Sequence, residues 1–221
     1  MTAAKKTSES AVNATKIISK YMTFVLEHEK EPLSVYKFCK EIKIDETKFY
    51  EFFGSFEALK KHIWNHFYTQ TVELIQKDKN YEGYGNREKM LSFFFTFFEN
   101  LTLNRSYVLY ALNAHKTVLK NLDQLKGLRK HVKEFATELI DERNADKAYK
   151  ITQRSPAIFS EGAWLQFLFL LKFWMDDTSA GFEKTDVAIE KSVNTIFDVF
   201  DNTPLDSIID FGKFLWKENN V

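Results

Sequence analysis

The stretch LSVYKFCKEIKIDETKFYEFFGSFEAL, Leu33 to Leu59, decides the fold. Pro32 stands just before it and ends a preceding helix, because the residue ahead of a proline avoids the helical region. Ser34 is placed to cap a short helix from Val35 to Lys43, and Asp45 a second from Glu46 to Phe53. Gly54-Ser55 breaks the chain again. Two short helices on either side of a sharp joint, Lys43-Ile44-Asp45, predict a helix-turn-helix. Such a crossing needs a small or apolar residue inside the earlier helix, and Cys39 stands there. It also needs an apolar plug in the turn, where Ile44 stands. Phe49 and Phe53 then face inward, leaving Glu46, Thr47, Lys48 and Tyr50 outward. The spacing by itself equally fits a helical hairpin without a special task.

Working outward, residues 1–9 read as a frayed tail, followed by a first helix from about Ser10 to Glu29. Its stripe of Val12, Ile17, Ile18, Tyr21, Met22, Phe24 and Val25 repeats at helical spacing. A fourth helix carries Phe56, Leu59, Ile63, Trp64 and Phe67 towards Lys77. The polar segment Asp78–Asn86 is the best boundary, giving an N-terminal domain of residues 10–77 and a C-terminal domain of residues 78–221. The latter is expected to hold helices at about Arg87–Leu101, Ser106–Leu119, Leu122–Arg143 and Ala157–Asp176. Thr185 is expected to cap a further helix to about Phe200, and Pro204 to open a short last one to Trp216.

Composition agrees with an all-α protein. Among 221 residues there are 7 Gly and 3 Pro, about 4.5% together against an average of roughly 12%. Folds built on many tight turns are thereby disfavoured. Lys+Arg and Asp+Glu are both 31, so no global field draws the chain to DNA or anionic membranes. The single cysteine, Cys39, excludes an intramolecular disulfide framework. The N-terminus lacks the apolar core of a secretion signal. The longest strongly apolar uncharged run, Gly162–Leu171, is far shorter than the roughly 20 residues a membrane span needs. The expectation is a soluble cytoplasmic protein without a membrane span. No phosphate loop, nucleophile elbow or His-Glu-x-x-His appears. His62 and His66 stand at i and i+4, but no third ligand accompanies them. Neither an enzyme nor a cofactor is expected.

Leu33 to Leu59 resembles the DNA-reading segment of the TetR family of regulators. Asp45, Phe49, Tyr50, Phe53, Ser55, Glu57 and Leu59 match that family's pattern in register and without a gap, and Val35 to Cys39 match its second-helix core. The resemblance implies an N-terminal three-helix domain that binds operator DNA. It also implies a larger helical C-terminal domain that binds a small effector and joins two subunits. Lys37, Lys43, Thr47, Lys48 and Tyr50 are then the candidate DNA contacts, with Lys40 beside them. Glu46, Thr47, Phe52 and Phe56 depart from the family's usual basic residue, Gly, His and Lys. Residues 1–66 hold 11 Lys, no Arg and 9 acids, a balance of +2. Arginine is the usual bidentate reader of guanine, so the electrostatic argument for DNA is weak.

Phenylalanine occurs 22 times, and Phe93-Phe94-Phe95-Thr96-Phe97-Phe98 is apolar on more than one helical face, as a helix buried on several sides is. Such rings either fill a core and dimer seam or line an apolar cavity for a lipid, isoprenoid or aromatic effector. Phe94, Phe98, Tyr110, His115, Trp164 and Phe167 are the candidate ligand contacts. Trp174-Met175-Asp176-Asp177-Thr178-Ser179 reads as a helix end and a cap for the next turn. Its Trp-x-x-Asp-x-Ser pattern also resembles a segment of ubiquinone-biosynthesis accessory proteins. Those share the TetR fold, have lost DNA binding and bind isoprenoid lipids.

Overall fold

The computed structural model describes residues 13–114, 121–145 and 155–201. Among them every regular element is helical and there is no strand. The N-terminal tail, His115 and the expected helix from Pro204 lie outside the described residues.

The described residues form two compact units. The first takes residues up to Trp64 together with Asn104–Leu125, and the second takes Asn65–Leu103 and the residues from Lys126 onward.

The first unit contains α1 (Ala14–His28), α2 (Val35–Glu41), α3 (Glu46–Phe52), the opening turns of α4 (Phe56–Ile75), and α6 (Arg105–Asn113). Each short helix has the cap its sequence supplies. The Ser34 hydroxyl accepts from the Lys37 amide, and the Asp45 carboxylate accepts from Thr47 N at 3.0 Å. Ser55 receives the Ala58 amide at the start of α4. α2 stops two residues earlier than its pattern predicts, because Ile42 and Lys43 turn the chain. Lys43 takes the left-handed conformation, φ 58°, and Ile44 N then closes on Cys39 O at 3.0 Å. Phe38 is the hub of this unit. Its ring stands edge-on to Tyr21, Phe24, Phe49 and Phe56 at 5.7–6.3 Å, the geometry aromatic quadrupoles favour.

The second unit contains the rest of α4, α5 (Asn86–Leu103), α7 (Lys126–Ala145), α8 (Pro156–Asp176) and α9 (Glu183–Asp201). α8 packs along α7, and α9 lies against both α5 and α8. Phe93, Phe94, Phe97, Phe167, Leu170 and Trp174 are fully enclosed. Gly127, in the first turn of α7, lies against Asn65: a Cβ there would lie 2.5 Å from Asn65 Oδ1, so that side chain would have to move. The joint between α8 and α9 corrects one expectation. α9 starts at Glu183, so Thr185 lies inside its first turn and does not cap it. Asp177 takes that role, receiving Thr185 N and Oγ1 at 2.9 and 2.7 Å, and Ser179 N and Oγ at 2.8 and 2.7 Å. The hydroxyls of Ser179 and Thr185, with their amides, hold this carboxyl well below the ordinary carboxylate range.

Candidate functional site

α3 presents its first turn to solvent because its other face is anchored. Phe49 and Phe53 are fully buried, as is Cys39 on α2. Burial, with Glu46 and Asp45 nearby, pushes the Cys39 thiol up to about 11, so this residue packs and does not react.

Lys37, Lys43, Thr47, Lys48 and Tyr50 are all exposed, and they are gathered on α2, the turn and α3. Their side chains differ in freedom. Thr47 Oγ1 donates to Asp45 at 3.0 Å, and Lys48 is paired with Glu51 at 2.8 Å. Tyr50 Oη donates to Glu46 at 3.3 Å, and desolvation followed by that carboxylate raises its phenol above the ordinary value. Lys37, Lys40 and Lys43 form no ion pair among the described residues. The freest cations therefore lie on α2 and the turn, whereas α3 holds its lysine against an acid. Lys43 also carries a backbone cost, since a non-glycine residue in the left-handed region loses about 1 kcal/mol.

The candidate effector residues separate. Phe94, Phe98, Trp164 and Phe167 come together in the second unit. Phe98 lies 6.5 Å from Phe94 and 6.1 Å from Phe167, and Trp164 stacks on Phe167 at 5.2 Å. Their rings occupy the space between one another. Tyr110 belongs to the first unit, where it lines a cavity with Tyr21 and Tyr107. Sequence reading missed that cavity, and its only trace there is Tyr107 and Tyr110 spaced three apart on one helix. Among the described residues no group of three or more potential ligands assembles a metal site. His62 instead meets the Phe53 ring edge-on at 5.3 Å.

The model of the tetracyclin repressor-like C-terminal domain matches residues 89–215, more than half of the chain. The chain belongs to the TetR family. The match lies C-terminal to the Leu33–Leu59 stretch and does not overlap it. A search of curated proteins finds no significant match. No described helix of this TetR-family chain is long and apolar enough to cross a membrane.

Proposed function

We propose that the protein is a cytoplasmic transcriptional regulator that binds operator DNA as a homodimer and is controlled by a hydrophobic effector. Residues 10–77 are the reading domain with its connecting helix, and residues 78–221 bind the effector and the second subunit. The observation that carries this reading is the capped, solvent-facing α3 set on a buried Phe38–Phe49–Phe53 anchor. Lys37, Lys43 and Lys48 supply phosphate contacts, and Thr47 and Tyr50 stand at the groove. Dimerisation is supported by a stripe along α8. Ile158, Leu165 and Phe169 follow one another at spacings of seven and four, and each is more than half exposed, as a helix face awaiting a partner is.

Gel shift and footprinting on the chain's own upstream DNA test the proposal, and no salt-sensitive binding at low ionic strength overturns it. Lys43→Gly sharpens the test. It relieves the left-handed backbone, so stability against urea rises by about 1 kcal/mol. If Lys43 touches phosphate, the same variant binds DNA more weakly, and its salt slope falls by about one.

A second reading is a TetR-fold lipid-binding accessory protein without DNA activity. It is favoured by the charge of α3, where Glu46 and Glu51 outnumber Lys48. Native mass spectrometry with an added isoprenoid quinone tests it: a stable lipid adduct together with no DNA binding supports it, and no adduct overturns it.

A further inference from the structure

The solvent-facing side of α3 is short of donors. Residues 46–52, ETKFYEF, contain no Arg, Asn or Gln, and no Arg occurs before Arg87. Guanine is read by Arg or Lys at O6 and N7, and adenine by the two-sided amide of Asn or Gln. Lys48 is the single cation of α3, and its ammonium donates to both Glu51 oxygens, at 2.8 and 3.0 Å. The purine-reading pairs therefore have no free side chain on this helix.

What α3 offers instead is an acceptor. A recognition helix meets base edges with the residues of its opening turn, and Glu46 stands in that turn, partly exposed. Unlike Glu51, it forms no ion pair among the described residues. Its Oε1 receives the Tyr50 hydroxyl at 3.3 Å, one helical turn on, and among the described residues Oε2 has no donor. Tyr50 is 52% exposed, so the carboxylate is steadied from the solvent side and keeps one oxygen open. An unneutralised acid lowers affinity for every duplex alike. That cost is offset only at a site where a base donates to it. In the major groove the donors are the cytosine N4 and adenine N6 amines. Adenine sets its N7 acceptor beside the amine and so repels a carboxylate. Cytosine has no acceptor on that edge, and Glu accepts from its N4.

We propose that Glu46 reads a cytosine: its carboxylate, held by the Tyr50 hydroxyl, accepts from the N4 amine of one C·G pair in each operator half-site. Glu46 is the specificity-determining residue and Tyr50 a positioning residue. The inference rests on the DNA-binding reading above and deepens it, since the charge that weakens binding to any duplex is the one that chooses among sequences.

Selection of preferred sites by the full chain from a random-sequence duplex library at low ionic strength tests it. One C·G pair per half-site should be required, and replacing it should weaken binding about tenfold or more, the scale of a lost base contact. Glu46→Gln should move that preference to A·T, because a glutamine amide fits adenine, and leave the other positions unchanged. Glu46→Ala should bind random duplex more tightly, having lost a negative charge, yet accept any pair at that position. Tyr50→Phe keeps Glu46 but should lower discrimination at the same pair alone. A melting curve verifies that each surface variant is folded. A wild-type site without the cytosine, an unchanged preference in Glu46→Gln, or a Glu46→Ala protein that gains affinity and keeps the wild-type preference overturns the inference alone, and the carboxylate then only repels. No enrichment by the wild type overturns the DNA-binding reading itself, and the inference with it.

Discussion

The two aromatic clusters are built from similar rings and finish in opposite ways. In the second unit Phe93, Phe97, Phe98 and Phe167 close on one another at 5.4–6.2 Å. Beside them the Trp174 ring nitrogen, Nε1, donates to Thr102 Oγ1 at 3.0 Å. In the first unit Tyr21 and Tyr107 belong to the core, but with Tyr110 they also line a cavity, and the Tyr107 oxygen is orphaned. The difference amounts to a few phenol oxygens. A phenylalanine cluster can collapse until its rings touch, because it has only surface to bury. A tyrosine cluster cannot do so without pairing its polar atoms or stranding one, and here the Tyr107 oxygen is the stranded one.

The strongest way to break this comparison is to truncate the closed cluster. Phe167→Ala should cost about 3–5 kcal/mol, the range for a buried phenylalanine in a rigid core. Phe167 is 0% exposed and touches Phe97, Phe98 and Trp164. Urea unfolding followed by tryptophan fluorescence measures the loss. A loss under about 2 kcal/mol would show that the cluster yields easily, as a chamber that opens for a hydrophobic effector must.

The second prediction concerns a buried oxygen that is paired. Asp177 accepts four hydrogen bonds at the joint of α8 and α9. Its folded-state pKa is depressed, so its contribution is complete above the ordinary carboxylate value of about 4 and lost as pH falls through the depressed one. Asp177→Asn should lower the melting temperature at neutral pH by less than Phe167→Ala does. The gap between wild type and variant should narrow on acidification below about pH 4. A gap that is constant with pH would mean that the carboxylate's charge contributes nothing.

Local features were legible in sequence, and distant ones were not. Caps at Ser34 and Asp45, the crossing at Cys39 and the anchors Phe49 and Phe53 all follow from spacing within a few residues. Asp177 was legible as a cap because it directly follows a long apolar helix, whereas Thr185 was misplaced because a short 3₁₀ turn at Ala180–Phe182 intervenes. Phe56, a departure from the family's usual lysine, has a packing explanation that spacing could not supply: its ring stacks on Tyr21 at 5.6 Å. The Tyr21–Tyr107 cavity was hidden for the same reason. Periodicity identifies the inward face of a helix but not the neighbour it meets, and these two residues are separated by more than three of the described helices.

The smallest expected effect is the most informative about the open cluster. Tyr107→Phe deletes one oxygen from a ring that is 2% exposed. If that hydroxyl were held by the protein, its loss would cost about 1 kcal/mol. Because it has no partner, the protein should lose nothing measurable, or gain up to about 1 kcal/mol, in urea unfolding. A destabilisation above about 1 kcal/mol would mean that the oxygen is satisfied after all, and the contrast between the two clusters would fail with it.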